Sequence, residues 1–205
     1  MLKKIMRSKL TWFFILLLAL FYLYRVAPIF VSPSESKNLR DFFPMTKGST
    51  WEYQGEGNEY ASFSREVLFL QDNKAQLRED NGGTVSISVL QVTDQEISRI
   101  YFQGEAYEDT NVINQEPNDH TIILKLPLSV GTKWDVPHGN REIVSINATV
   151  ETPAGSFTNC IKVKVTQENS TIFEYFKQDV GLVKREFFSE GTQVTSSLET
   201  YHINP

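Results

Sequence analysis

The stretch Val85-Ser86-Ile87-Ser88-Val89 alternates apolar and polar side chains over five successive positions. Such alternation is typical of a β-strand, because successive side chains in a strand point to opposite faces. We expect the aliphatic side chains to face a core and the serines to face solvent. The stretch therefore predicts a half-buried strand of an antiparallel sheet.

The same alternation recurs through most of the chain after residue 41. No segment there has a capped apolar period of 3.6 residues, so helices are not expected. Roughly ten to twelve short strands at such spacing are typical of a sandwich or barrel. We predict an all-β, antiparallel barrel or sandwich. Its hairpin turns should lie at 71–73, 81–83, 93–95, 153–155 and 190–191.

A nine-residue motif occurs twice, 83 residues apart, at 44–52 and 127–135. Both copies have Pro, an apolar residue, Gly, a hydroxyl residue, Trp and an acid at the same offsets, and an Arg-Glu-aliphatic triplet follows each copy. Pro restricts φ, Gly permits a positive φ, and Trp brings a large apolar surface. The motif predicts a turn that begins a strand, and its repetition predicts two related β halves. We expect Trp51 and Trp134 in the core; the alternative is that they grip sugar rings at the surface.

The first 31 residues differ in charge from the rest of the chain. They contain five basic and no acidic side chains, a net charge of +5. Because the whole chain has a net charge of −5, the residues after position 31 carry −10. Residues 10–24 are uncharged, and extension past Arg25 to residue 31 is long enough to cross a bilayer. We expect a cytoplasmic basic tip at 1–9, a signal anchor or transmembrane helix at 10–31, a linker at 32–40 and an extracytoplasmic domain at 41–205. A cleaved signal peptide, which would leave the domain secreted, is the main alternative, and a buried core helix is the other.

Charge and cysteine content exclude several classes of function. An acidic domain argues against binding nucleic acid through phosphate contacts. One cysteine, Cys160, excludes an internal disulfide framework and a cysteine-based zinc cluster.

Candidate catalytic side chains are few. His120, His138 and His202 occur in polar or terminal segments without a nucleophile motif, so we expect them at the surface. Alternation points Cys160 outward, but a bulge at Asn159 would turn it into the core as an inert thiol. The alternative is a thiol activated by Lys162.

The segment 104–120 is the most acidic part of the chain. We interpret it as a solvated connection between the two halves, since the spacing of a calcium loop is absent; Ca²⁺ binding is the alternative. The glycosylation sequons at Asn147 and Asn169 are interpreted as chance matches. The acids of the segment 104–120 are Glu105, Glu108, Asp109, Glu116 and Asp119.

Four segments together resemble a known protein family: 43–53, 126–134, 152–160 and 180–184. They are similar to the uncharacterised lipoprotein-like proteins of the DUF3108-like or TapB-like group, in exported proteins of Gram-positive-type bacteria. The resemblance implies an extracytoplasmic all-β domain and carries no catalytic residue. The chain lacks the lipid-bearing cysteine near its N-terminus, which favours the helix anchor.

These features predict a membrane-anchored, non-catalytic module that binds an envelope protein or polymer. We assign no catalytic, cofactor or metal-binding residue and no oligomeric state, and the binding residues stay open. One alternative is a carrier or sensor of an apolar ligand, since aromatic residues cluster at 173–176 and 187–188. The other is a hydrolase of extracellular polymer, which needs acids or a histidine converging in a cleft.

Overall fold

The computed structural model describes residues 38–205. The predicted basic tip, the predicted signal anchor and most of the predicted linker lie outside these residues. Within the described part, no helix is long and apolar enough to cross a membrane. A short 3₁₀ helix, Leu39–Phe42, comes first. Twelve strands follow: β1 Thr50–Glu56, β2 Phe63–Gln71, β3 Lys74–Asp80, β4 Val85–Val92, β5 Glu96–Gln103, β6 Thr121–Lys125, β7 Lys133–Val136, β8 Gly139–Thr152, β9 Gly155–Gln167, β10 Thr171–Lys177, β11 Gly181–Ser189 and β12 Thr192–His202.

The twelve strands form one antiparallel sheet that curls into a nearly closed barrel. Strands β1 to β6 pair in chain order, and so do β7 to β12. Strand β1 pairs with β12, which joins the two runs. Strands β6 and β7 end the sheet and contact each other along a seam without ladder pairing. The prediction of an all-β antiparallel fold is confirmed, and the barrel alternative is the observed one.

All five predicted turn segments connect consecutive strands. Each joins two antiparallel neighbours, as period-two runs separated by turn residues require. The connections are β2–β3, β3–β4, β4–β5, β8–β9 and β11–β12.

Both copies of the repeated motif form the same backbone corner. Gly48 and Gly131 have φ of 77° and 90°, which only glycine adopts without strain. Each glycine donates its N–H to the aliphatic residue of the later triplet: Gly48 to Val67 at 2.8 Å and Gly131 to Ile143 at 2.9 Å. The turn that begins a strand is therefore observed in both places, while descent of two halves from one unit stays a prediction.

Both tryptophans of the motif are in the core. Trp51 and Trp134 are 3% and 6% exposed. Trp51 Nε1 donates to Val180 O at 2.7 Å, and Trp134 Nε1 donates to Ile122 O at 3.0 Å. The core interpretation is confirmed and the sugar-gripping one is wrong, since the indole faces are covered. Trp134 also ties β7 to β6 across the seam.

Strand β4 shows its expected alternation with the opposite orientation. Ser88 and Leu90 line the barrel interior, whereas Ile87 and Val89 belong to a separate cluster with Val112. The expectation of solvent-facing serines is wrong at Ser88, which is 9% exposed. Period two determines which side chains share a face, but it does not determine which face is inside.

The acidic segment 104–120 covers this outer apolar face. It connects β5 to β6, so it lies within the first run of strands, and its predicted role as a connection between halves is wrong. Ala106, Val112 and Ile113 are buried against Ile87. The buried Gln76 holds the segment by donating to Thr110 O and accepting from Val112 N, both at 2.8 Å. Apolar residues between the acids explain why the segment packs on the barrel.

Strand β9 contains the expected irregularity before its cysteine. Asn159 has a φ of 57°, and the pairing register with β8 shifts there. Cys160 is consequently buried in the main core beside Ile161. The prediction of a bulge that turns the thiol inward is confirmed.

The 3₁₀ helix belongs to the folded barrel. Leu39 and Phe42 are buried in the main core. Asp41 O accepts from Asp179 N at 2.6 Å, which ties the helix to the β10–β11 turn. The fold thus includes Leu39 and Arg40, which we placed in the linker.

We expect Trp134→Phe to destabilise the barrel by about 1–3 kcal/mol, because it leaves Ile122 O without a donor at the seam. Urea denaturation of the full chain measures this change. Val130→Ala is the matched control, since Val130 lies in the same motif copy and is 62% exposed; its effect should stay within about 0.5 kcal/mol. Equal effects of the two substitutions would contradict the role of the indole bond.

Candidate binding site

A charged cavity of about 170 Å³ lies inside the barrel. Strands from both runs build it, because alternate side chains of each strand point inward. Its polar walls combine four arginines with two glutamates, a serine and a threonine, and its apolar walls are aromatic and aliphatic. The lining residues are Phe43, Arg65, Leu77, Glu79, Ser88, Leu90, Arg99, Thr121, Ile123, Arg141, Glu174, Phe176 and Arg185.

Arg65 on β2 and Glu79 on β3 form one ion pair of the cavity. The residues are directly opposite in the ladder. Arg65 Nε donates to Glu79 Oε1 at 2.7 Å, and Nη2 donates to the same oxygen. The guanidinium also lies 5.7 Å from the Phe43 ring centre and 5.9 Å from that of Phe63, within cation–π range. Arg65 therefore has both a carboxylate and aromatic partners.

Arg141, Glu174 and Arg185 form a second cluster in which one carboxylate serves two arginines. Arg141 Nη2 donates to Glu174 Oε2, and Arg185 Nε donates to Oε1 at 3.2 Å. Arg141 and Glu174 are 6% and 7% exposed. Within residues 38–205, Arg141 Nε is the buried side-chain nitrogen or oxygen that lacks a hydrogen-bond partner.

The arginines keep both interior carboxylates ionised. Burial alone would raise the pKa of Glu174, but the charges of Arg141 and Arg185 outweigh burial and lower it to about 2. Burial likewise opposes ionisation of Glu79, but Arg65 and then Arg185 lower its pKa below the ordinary value. A carboxylate of such low pKa is a weak base, and at neutral pH it has no proton to donate. The cluster is suited to binding charge and not to transferring protons.

Arg99 extends the charged wall on β5. It forms an ion pair with Asp119, and its guanidinium lies 4.8 Å from the ring centre of Phe102. Asp119 also accepts from Thr121 Oγ1 at 2.7 Å. Burial would raise the pKa of Asp119, but its bonds from Thr121 and Arg99 lower it overall. This aspartate is the member of the acidic segment that borders the site.

The histidines and the cysteine singled out from sequence are not among the residues that line the cavity. His120, His138 and His202 are all exposed, in line with the surface interpretation. His138 has a φ of 65° in the β7–β8 turn, and His202 ends β12. Cys160 is buried away from the cavity lining, as an inert core residue would be.

The acidic segment is held by separate partners. Asp109 lies 3.6 Å from Arg78, and Glu105 accepts from Tyr107 at 2.5 Å and from Thr84 at 2.9 Å. In the described part of the chain, no three histidines, cysteines or acids are grouped to hold a metal ion.

Arg65 and Arg141 belong to the repeated triplets, but the sequence pattern did not assign them to a site. The pattern did not predict Glu79, Glu174, Arg99 or Arg185 as site residues. Strand alternation contained a signal for these arginines. Each arginine of the triplet shares a face with the buried aliphatic residue two positions later, Val67 or Ile143. A charged residue on an apolar face indicates a buried ion pair.

The cavity differs from those that the alternative functions require. A carrier of an apolar ligand needs an interior lined by Phe, Leu and Val with few polar groups, whereas this cavity has six charged side chains. A hydrolase of the glycosidase type needs an acid that can donate a proton, and Glu174 has a pKa of about 2. Neither alternative is supported by the cavity.

We expect Glu174→Gln to destabilise the barrel by about 3–5 kcal/mol, because it leaves the buried Arg141 without its counter-ion and removes the carboxylate of the partly exposed Arg185. Chemical denaturation at pH 7 measures the change. Glu168→Gln, at an exposed turn, is the matched control and should be nearly neutral. A loss no larger than that of the control would show that the pairing adds no stability.

Acid should weaken the wild-type barrel more than the Glu174→Gln variant. The carboxylate has a lower pKa folded than unfolded, so its stabilisation is complete above pH 4.5 and is lost as pH falls toward about 2. The difference between the two proteins should shrink by on the order of 3 kcal/mol across this range. Parallel curves of unfolding free energy against pH would contradict the lowered pKa.

Two solved structures are similar to this chain. A candidate lipoprotein from Parabacteroides distasonis is 17% identical, with a TM-score of 0.51 over 78% of this chain and 98% of that chain. A candidate exported protein with a YmcC-like fold from Bacteroides fragilis is 16% identical, with a TM-score of 0.49 and the same coverage of both chains. The first similarity shows a shared fold.

Sequence comparison identifies the family. No curated protein sequence matches the chain. The profile of the DUF3108-like family matches residues 80–199, which is more than half of the chain. This range contains most of the charged cavity, including both members of the Arg141–Glu174 pair. The chain therefore belongs to the DUF3108-like family.

Proposed function

We propose that this chain is a membrane-anchored extracytoplasmic protein whose barrel binds an envelope protein or polymer without transforming it. In this proposal residues 1–9 are cytoplasmic, residues 10–31 cross the membrane and the barrel lies outside, in a Gram-positive-type envelope. The proposed activity is binding, and the family match adds no reaction to it.

The charge distribution of the sequence supports this location. Five basic residues and no acid in the first 31 positions favour a cytoplasmic N-terminus under the positive-inside rule. The description of the Parabacteroides relative as a candidate lipoprotein is consistent with a barrel outside the cytoplasm.

The observation that most supports binding over catalysis is the ionised state of Glu174. Its carboxylate is shared between Arg141 and Arg185, so its proton affinity is too low for acid–base catalysis near neutral pH. The three histidines are exposed, in a loop, a turn and a strand end, and none of them lines the cavity that contains Glu174.

Cysteine labelling in intact bacterial cells tests the location. We expect a membrane-impermeant maleimide to label Glu168→Cys on the exposed β9–β10 turn without permeabilisation. Ser8→Cys in the basic tip is the matched control and should label only after permeabilisation. The buried Cys160 should react only after denaturation, which shows that the barrel was folded.

The opposite labelling order would contradict the proposed orientation. Recovery of the Glu168→Cys protein in the medium, cut after the apolar segment, would contradict the anchor and support the secreted alternative.

Co-sedimentation with isolated cell-wall polymer tests the binding activity. The purified full chain should sediment with the polymer and release no soluble fragments, whereas heat-denatured protein should lose this binding. Release of fragments by the folded protein would overturn the non-catalytic assignment, and equal sedimentation of folded and denatured protein would overturn specific binding.

A further inference from the structure

We propose that the cavity inside the barrel is a binding site for a small organic carboxylate. This inference goes beyond the envelope-binding function, because the site lies within the barrel and does not depend on where the barrel is located. Four features of the described residues carry it: an unsatisfied arginine, an excess of positive charge, a mixed wall and an adjoining cavity.

The first feature is the hydrogen bonding of Arg141. Its side chain is 7% exposed and lines the cavity, yet in the described chain its Nε has no acceptor. Buried donors in folded proteins are almost always paired, and a charged donor is costly to leave unpaired. An oxyanion beside Arg141 would supply the acceptor that the protein does not.

Comparison with the other copy of the motif explains the deficit. Arg65 donates from both Nε and Nη2 to Glu79, so both of these nitrogens have a hydrogen-bond acceptor. Arg141 directs only Nη2 to Glu174, whose other oxygen is taken by Arg185. One copy has a carboxylate for its arginine, and the other shares a carboxylate between two. The second copy therefore has one carboxylate fewer than it has arginines.

The second feature is the net charge of the walls. Four arginines and two glutamates line the cavity, and Asp119 offsets Arg99 at its border. One positive charge is left without a counter-charge. A monoanion restores neutrality, whereas a cation would be repelled. Arginine is also the side chain best suited to carboxylate, through paired N–H bonds.

The third feature is the size and polarity of the cavity. At about 170 Å³ it is smaller than the ~300–1,000 Å³ that drug-sized ligands occupy, and it holds roughly five or six waters. Its other walls are the apolar side chains Phe43, Leu77, Leu90, Ile123 and Phe176. A short aliphatic chain fits against these side chains while its carboxylate faces the arginines. Inorganic phosphate has no apolar part to occupy this half.

The fourth feature is a route to the site. A second cavity of about 150 Å³ shares Glu79 and Arg185 with the first, and it is bordered by Tyr60 and Asn81. Tyr60 is 55% exposed, so this second cavity lies toward the surface. A carboxylate entering here meets Arg185 before it reaches Arg141.

Thermal unfolding of the purified full chain in detergent micelles tests the proposal with butyrate as the probe. Butyramide is the neutral control of the same shape, and sodium chloride holds the ionic strength constant. We expect a saturable rise in Tm with butyrate, no rise with butyramide and a much weaker rise with phosphate. Equal shifts with butyrate and butyramide would overturn the carboxylate site, and an equal response to phosphate would overturn the role of the apolar wall.

Two variants place the effect in the cavity. Arg141→Gln should raise the butyrate concentration for half-maximal shift at least tenfold, since a charge-assisted bond is lost. Arg78→Gln removes the same charge from the barrel exterior, where Arg78 pairs with Asp80 at 3.1 Å, and should leave the response unchanged. Equal responses of the two variants would overturn the assignment of Arg141.

If Arg141→Gln does not fold, Ser88→Leu gives an independent test. It fills the cavity from β4 without altering any charge, so it should abolish the butyrate response. A wild-type response in Ser88→Leu would place butyrate elsewhere and overturn the proposal. These results are independent of membrane orientation and of polymer binding, so either proposal can fail alone.

Discussion

Antiparallel pairing between β1 and β12 converts two runs of hairpins into one barrel. The other ladders of the described chain join strands that are neighbours in sequence, whereas this one joins Thr50 to His202. Ordering such distant segments costs loop entropy, which burial of the core must offset. The pairing also positions Tyr53, whose hydroxyl donates to Leu182 O at 2.8 Å. The main core and the cavity both depend on this pairing.

Curling of the sheet has an electrostatic consequence, because charged side chains on the inner faces of the strands are removed from water. Desolvation disfavours each ion alone, and pairing compensates only when geometry is good. Arg65 and Glu79 meet this condition across one ladder. Glu174 meets it by accepting from two arginines, which leaves the bonding of Arg141 incomplete. Of the two arginines in the repeated triplets, Arg65 therefore has a complete ion pair, and Arg141 keeps an N–H donor for the proposed carboxylate.

Much of the local structure followed from the sequence. The turn segments, the positive φ at Gly48 and Gly131, and the bulge at Asn159 were predictable because each depends on a few neighbouring residues. The orientation of β4 was not predictable, because a segment between β5 and β6 covers the face that alternation alone would place inside. The cavity was not predictable either, since Glu174 stands between apolar residues of β10 and Arg185 lies in the charged run 184–186 of β11, and nothing local links the two. Their meaning depends on which strands lie across the barrel.

By itself, the sequence determined the all-β class, the strand turns, the burial of both tryptophans and the unlike charges of the head and the domain. These properties depend on side-chain periodicity and composition, which act over a few residues. The tertiary structure alone decided barrel closure, the inner face of each strand and the partners of the arginines. Those properties depend on contacts between residues far apart in the chain, which curling of the sheet brings together.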